Sequence, residues 1–234
     1  MASRARDNRP YVPRSARRDH AIIGFCHPGV VRAEFATSLL TIAMEGKTPL
    51  DSVLALEWGP NISTARNKIA EDFLTRPTPW LLMCDTDMVF GADHLDRLID
   101  AADPVERPIV GALCYSPIAG GGGPYPTMYQ MVEKEPGRIG FVRPSTVPEN
   151  ELVPVSATGT GFLLIHRSVL EKIRDEGKNV SAPWFQEMAV GEPMALMGED
   201  MTFCLRAGAL GFPTYVHTGI QVGHMKPAMI GKVI

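Results

Sequence analysis

From His20 onward the chain alternates short β-forming runs with amphipathic helical stretches, and no other feature narrows its possible folds so much. Such alternation builds a mostly parallel α/β sheet, because parallel neighbours need a crossover and a helix provides it. "HAIIGFC" is expected as a strand ending at "HPG", and "RAEFATSLLTIAMEG" as a helix with Phe35, Leu39 and Ile42 on one face. "SVLALEW" is a second strand. "NISTARNKIAEDFL" follows as a helix with Ile62, Ala65, Ile69 and Phe73 in register, capped by Ser63 or Thr64 and stopped before Pro77. "PWLLMC" carries an unbroken apolar run, so it is expected as a strand buried on both faces. A helix over 92–102 and a strand "PIVGALCY" complete this half.

The second half is patterned differently. "PTMYQMV", "RIGFV", "LVPVSAT" and "GFLLIH" read as strands with no helix between them, which predicts antiparallel pairing. A helix at 168–176 follows, then "GEDMTFCLRAGALG", with Met201, Cys204, Leu205 and Gly208 expected as its buried stripe. The four glycines at 120–123 are expected to form a mobile loop. The whole predicts one α/β domain, a mostly parallel central sheet with a mixed antiparallel extension.

Charge is unevenly placed. Residues 1–18 hold six arginines against Asp7, a net +5 in a chain of net −3, so residues 19–234 carry −8. That arginine-rich segment is too poor in apolar residues to pack and is expected as a disordered basic tail, separate from a folded unit over 19–234. It either attracts a polyanion or only aids solubility. No apolar run approaches the ~18 residues of a membrane span, and no secretory leader follows the N-terminal arginines. Cys26, Cys84, Cys114 and Cys204 are widely spaced, with neither a disulfide framework nor a C-x-x-C zinc pattern, so reduced buried thiols in a cytoplasmic protein are expected.

The chemistry concentrates at "WLLMCDTDMVFGAD", residues 80–93. Residues i and i+2 of an extended segment point to one side, so Asp85 and Asp87 are expected to present their carboxylates together at the carboxyl end of a strand. That edge is where open α/β sheets bind ligands. Paired carboxylates repel unless a cation lies between them, and Mg²⁺ or Mn²⁺ takes one or two carboxylates and fills its other positions with water and phosphate oxygens. An EF-hand calcium loop fails here, having Phe90 at its sixth position and Asp96 at its twelfth. A haloacid-dehalogenase-type phosphatase shares the spelling "DTDMV". Its later acidic pair needs an Asp four residues after Asp200, where Cys204 stands, and its nucleophile ends a first strand rather than a third. A solvated Asp-Thr-Asp turn remains the plainer alternative for the triplet by itself.

Four separated segments give the triplet company. "DTD", "ATGTGFLLIHRSVLEKI", "GEDMTFCLRAGALGF" and "GH" at 223–224 resemble, in order and spacing, the D-x-D, glycine loop, x-E-D helix and late histidine of the GT-A glycosyltransferases. "STARNKIAEDFL" is similar to their second helix, and the resemblance spans about residues 20 to 228. It implies a metal-dependent transferase moving a hexose or pentose from a nucleoside-diphosphate sugar to an acceptor hydroxyl. The metal, Mn²⁺ or Mg²⁺, would be held by Asp85, Asp87 and His224, with His217 the nearest rival to His224. Lys226 and Asp85 would serve the diphosphate, Arg66 and Asn67 the nucleotide, and His27 and Pro28 its base. Gly159, Thr160 and Gly161 would line the acceptor side. Glu199 and Asp200 open a helix whose dipole favours negative charge, and Asp200 would be the base of an inverting transfer. Ordinary helix capping and a plain β-bulge are the modest readings of these last two groups.

The resemblance leaves donor base, sugar and acceptor open. Modified DNA in a phage setting suits the arginine tail, and a protein is the other candidate acceptor. A non-catalytic sugar-nucleotide binding module is the competing class. A nucleotidyltransferase of this fold would need a G-x-G-x-R segment that "IIGFCHPGVVR" lacks.

Overall fold

A computed structural model describes residues 19–57, 61–117, 123–135, 138–177, 183–190 and 195–226. The expected basic tail, residues 120–122 of the expected glycine loop and residues 227–234 lie outside the described residues.

The first half alternates as predicted: β1 (Ala21–His27), α1 (Ala33–Glu45), β2 (Leu50–Glu57), α2 (Ile62–Leu74), β3 (Trp80–Asp85), the short β4 (Met88–Val89), α3 (Asp93–Ala101) and β5 (Ile109–Leu113). The second half is strand-rich: β6 (Tyr115–Ser116), β7 (Tyr125–Pro126), β8 (Met128–Glu135), β9 (Arg138–Val142), β10 (Leu152–Val155), β11 (Ala157–Thr158) and β12 (Phe162–His166). Then come α4 (Arg167–Glu176), β13 (Met188–Val190), β14 (Ala195–Met197), α5 (Glu199–Ala209), β15 (Thr214–Gln221) and β16 (Gly223–His224).

Seven strands form the central sheet in the order β10-β15-β5-β12-β3-β1-β2. β1, β2, β3, β5 and β15 run one way, while β12 and β10 run against their neighbours. Alternation along β1 and β3 explains their unbroken apolar runs. Ile23, Phe25, Leu82 and Cys84 face α1 and α3, where they meet Phe35, Ile42, Leu95 and Leu98. Ile22, Leu81 and Met83 face α2, α4 and α5, where they meet Ile69, Phe73, Val169 and Phe203. The sheet is thus covered on both sides, as a mostly parallel sheet requires. α2 lies so close over β1 that a Cβ on Gly24 would stand 2.5 Å from Ile69 Cγ2, so any side chain there would push this helix, and the residues it carries, off the sheet.

Three expectations need correction. Asn61, not Ser63 or Thr64, caps α2: its side-chain oxygen accepts from the Ser63 and Thr64 amides at 2.8 and 3.3 Å. The buried face of α5 is Thr202, Phe203, Cys204 and Ala207 rather than the stripe through Met201, Leu205 and Gly208. Almost every residue of "MTFCLRAGAL" is small or apolar, so periodicity alone cannot choose a face; Phe203 chooses it by stacking on Phe185 at 4.8 Å between ring centroids. "LVPVSAT" is two strands, with β10 on β15 and β11 on β8, and the chain changes sheets at Ser156. The antiparallel pairing predicted for this half is present in β8–β9, β8–β11, β10–β15 and β12 with both its neighbours. All four cysteines are free and buried.

Candidate active site

The site is built at the carboxyl end of β3. The strand ends at Asp85 and the chain turns through Thr86 and Asp87 before β4. That turn breaks the period of two, and the carboxylates meet different partners instead of facing one another as an extended pair.

Asp87 is met from the far end of the sequence. β16 pairs antiparallel with β4, placing His224 opposite Met88, and the Met225 amide donates to the Asp87 carbonyl at 2.8 Å. His224 Nε2 lies 3.2 Å from Asp87 Oδ2, and Lys226 Nζ donates to the same oxygen at 2.6 Å. Burial pushes the Asp87 carboxyl up, but hydrogen bonds and charge from His224 and Lys226 outweigh it and hold the group down at about 2. The hydrogen bond to Asp87 likewise holds His224 above its usual range, against the opposing effect of burial. His224 Nδ1 lies 2.7 Å from the Tyr115 carbonyl oxygen. Since a carbonyl only accepts, Nδ1 carries hydrogen and donates, and in the neutral ring Nε2 keeps its lone pair toward Asp87. His217, the rival histidine, pairs with Leu152 across the sheet and accepts from the Gly219 amide.

Asp85 belongs to a different cluster. Arg66, only 5% exposed on α2, donates from Nη2 to Asp85 Oδ1 at 2.6 Å and from Nη1 to Glu199 Oε1 at the start of α5. Burial pulls this guanidinium down, but the two carboxylates together hold it above its usual range. Arg66 was expected to touch a nucleotide; it instead ties together carboxylates from two motifs. Glu199 is spent on that pair, with its side chain 13% exposed. Among the described residues no cation pairs with Asp200 in this way. Its Oδ1 accepts from the Met201 amide at 2.7 Å, and burial, then the neighbouring Glu199 charge, raise its carboxyl above the usual range.

The glycine loop joins both clusters. A Cβ on Gly159 would lie 3.5 Å from Asp200 Oδ2, and one on Gly161 would lie 3.7 Å from Asp85 Oδ2 and 2.5 Å from Met88 Cε. Neither has positive φ; a Cβ at Gly159 would make only ordinary contact, whereas one at Gly161 would oblige the flexible end of Met88 to move. Thr160, between them, is 1% exposed, which leaves it no surface to offer an acceptor. Asn67 is also corrected: its amide donates to Ser63 O and Phe185 O and accepts from the Trp184 and Phe185 amides, which uses all its donors and acceptors. Asn67 anchors the 184–185 segment to α2 and has nothing left for a nucleotide. At the end of β1, partly buried His27 accepts from the Gly29 amide, and Pro28 is exposed beside it.

Two groups escaped the sequence reading. One is the Tyr115 carbonyl, which no side-chain pattern could reveal. The other is Tyr125, Tyr129 and Arg143, whose guanidinium lies 3.6 Å above the Tyr125 ring centroid and 5.6 Å from that of Tyr129. The tyrosines' spacing of four in "YPTMY" puts both on one side of an extended segment, and that signal was available.

No protein family and no curated protein matches the sequence. Solved structures do match, and two are informative. A197 from STIV is 17% identical, with a TM-score of 0.53 over 89% of this chain and 86% of its own. GalNAc-T7, crystallised with UDP, GalNAc and Mn²⁺, is 12% identical, with a TM-score of 0.56 over 88% of this chain, which spans 43% of GalNAc-T7. The fold is GT-A-like. This topology leaves the phosphatase spelling of "DTDMV" without its first-strand context. Among the described residues no helix is long and apolar enough to cross a membrane.

A divalent cation fits one part of this site. No group of three or more His, Cys, Asp or Glu side chains among the described residues is gathered to hold a metal. Asp87 and His224 nonetheless offer a carboxylate oxygen and an imidazole nitrogen at 3.2 Å. Two protein ligands suffice for a cation that completes its shell with diphosphate and water. Asp85 Oδ1 is held by Arg66, which makes Asp85 the weakest of the three expected ligands.

Proposed function

We propose that this chain is a metal-dependent glycosyltransferase that takes a nucleoside-diphosphate sugar and transfers the sugar, with inversion, to an acceptor hydroxyl. The observation that carries this reading is the meeting of Asp87 and His224, 137 residues apart in sequence, at the ligand-binding edge of a GT-A-like sheet. The UDP, GalNAc and Mn²⁺ found with GalNAc-T7 support the same chemistry by analogy of fold.

Asp87 and His224 would hold Mn²⁺ or Mg²⁺, which when bound supplies positive charge to a departing diphosphate. The Tyr115 carbonyl fixes the His224 ring so that Nε2 faces Asp87. Lys226 is the mobile cation of the site, free to exchange its bond to Asp87 for one to a phosphate oxygen. Arg66 orients Asp85 and Glu199 and offsets part of their joint charge. His27 and Pro28, at the exposed end of β1, frame the nucleotide base. Asp200 accepts the proton of the acceptor hydroxyl: its carboxyl is raised toward neutrality, which improves a base, and Oδ1 is anchored by the Met201 amide.

A binding module without catalysis would use the same donor site but leave Asp200 idle. Thermal-shift screening of UDP-, GDP-, ADP- and dTDP-sugars with and without Mn²⁺ identifies the donor. Turnover of that donor then decides between the readings. Asp200→Asn should lose about 10²–10⁴ in rate while keeping donor affinity. A donor that binds but is never hydrolysed or transferred, or an Asp200→Asn variant at full rate, contradicts the enzymatic reading. Modified DNA and protein are the acceptors to try first.

A further inference from the structure

A groove of about 500 Å³ opens beside Asp200, bordered by Tyr129, Phe141, Arg143, Leu196, Met197 and Met201. Three elements build it: the β8–β9 hairpin gives the aromatic side, β14 the opposite wall and α5 the floor. Met201 adjoins Asp200 and bonds to it through its amide, so the floor leads directly to that carboxylate. Tyr129 is raised above its usual range by burial first, and the Asp200 charge contributes, which ties the aromatic side to the same carboxylate.

The two walls differ in chemistry. Leu196 is 68% exposed and offers an apolar face with no covering among the described residues. Arg143, also on the groove, is exposed, and its guanidinium carbon lies 3.6 Å over the Tyr125 ring centroid and 5.6 Å from that of Tyr129. A stacked guanidinium keeps its N–H edges outward, and its rigid fork matches a phosphate in two parallel bonds. Aromatic rings and apolar side chains hold a ring, whether sugar or base, but have no use for a cation. One N–H of Arg143 serves the Tyr129 hydroxyl, and the rest of its exposed fork is what a phosphate, unlike a neutral saccharide, would use fully.

We propose that this groove is the acceptor site, and that Arg143 selects an acceptor that carries a phosphate as well as the reacting hydroxyl. That chemistry is shared by sugar phosphates and by hydroxylated nucleotides. The assignment rests on Asp200 as the base, since Asp200 fixes which end of the groove receives the hydroxyl.

The test uses methyl signals of Met197 and Met201 in the full chain, titrated with four probes: glucose, glucose 6-phosphate, 5-hydroxymethyldeoxycytidine and its 5′-monophosphate. At least one phosphorylated probe should bind about tenfold more tightly than its uncharged parent, and which one does so names the source. Arg143→Gln should erase that preference and Arg143→Lys restore part of it. Both variants should keep the Mn²⁺-dependent thermal shift by the donor, because Arg143 lies outside the Asp87–His224 cluster. Equal binding of charged and uncharged probes, no binding by any of them, a preference that survives in Arg143→Gln, or inorganic phosphate binding as tightly as the best probe would each overturn the proposal. Loss of the preference in Arg143→Gln together with no metal-dependent donor binding in the unmutated protein would preserve the groove and remove the transferase reading instead.

Discussion

Asp85 and Asp87 share a triplet, yet they belong to regions held together by different physics. Around Asp85 the site is an ion cluster on a buried cation: Arg66 on α2 joins the end of β3 to the start of α5 and pairs with one carboxylate from each, Asp85 keeping a third of its side chain exposed. Around Asp87 the site is an open corner, where a carboxylate, an imidazole and an exposed lysine meet on a two-residue strand pair. The first region is a support whose cation is permanent. The second has an exposed cation in Lys226. The comparison teaches that a D-x-D spelling does not distribute partners equally. The turn at Thr86 gives the first aspartate to Arg66 and the second to His224 and Lys226.

Removing the permanent cation should have the larger effect. Arg66→Leu leaves Asp85 and Glu199 partly buried and unpaired, a change that costs about 3–5 kcal/mol where such pairs are broken. Urea denaturation should show the midpoint falling with little change in slope. A loss below about 1 kcal/mol would mean that the cluster relaxes into water and is no support. Asn67→Ala tests the same region at its other anchor. It strands the Trp184 and Phe185 amides, so stability should fall by about 1–3 kcal/mol with donor binding unchanged. Weakened donor binding at unchanged stability would return Asn67 to the nucleotide.

How much of this was legible follows from where each signal resides. β1, β3 and α2 were readable because their apolar residues lie on local periods of 2 and 3.6, and the same periods put Ile22 and Ile23 on opposite faces. The face of α5 was not, since "MTFCLRAGAL" offers apolar side chains on every side and Phe185, far off in sequence, makes the choice. In the site, residue types were legible and pairings were not. Nothing local to Arg66 says that it reaches Glu199, because that contact depends on how tightly α2 packs over Gly24. The Asp-Thr-Asp turn was available as the plainer alternative for the triplet, but its parting of the two carboxylates was not. Val89 and Phe90 look like continuing strand, and only the pairing of β4 with β16 shows where the chain has bent.

The two regions should also answer pH in opposite senses. Asp87 is held at about 2, below its ordinary 3.8, so its contribution is complete above about pH 4 and is lost as pH falls through about 2. Asp87→Asn should therefore cost about 1–2 kcal/mol at neutral pH, allowing for partial screening, and converge with the unmutated protein in acid. Asp200 is raised, so its burial penalty is absent in acid and grows as pH rises from the unfolded value to the folded one. Asp200→Asn should thus stabilise the unliganded protein at neutral pH and change nothing in strong acid. Thermal melts across that range check both signs, and parallel profiles for the two variants would erase the distinction drawn between the regions.

The most direct measurement is the Mn²⁺-dependent thermal shift produced by the cognate nucleoside diphosphate, compared between the unmutated protein, Asp87→Ala and Asp85→Asn. Ligand that binds only the folded state raises its melting temperature by an amount that grows with the logarithm of its concentration over Kd. The account predicts a shift that disappears in Asp87→Ala and in chelator, while Asp85→Asn, though less stable, keeps it. An Asp87→Ala variant that keeps the full Mn²⁺-dependent shift, still abolished by chelator, would contradict the assignment of the metal to Asp87 and His224.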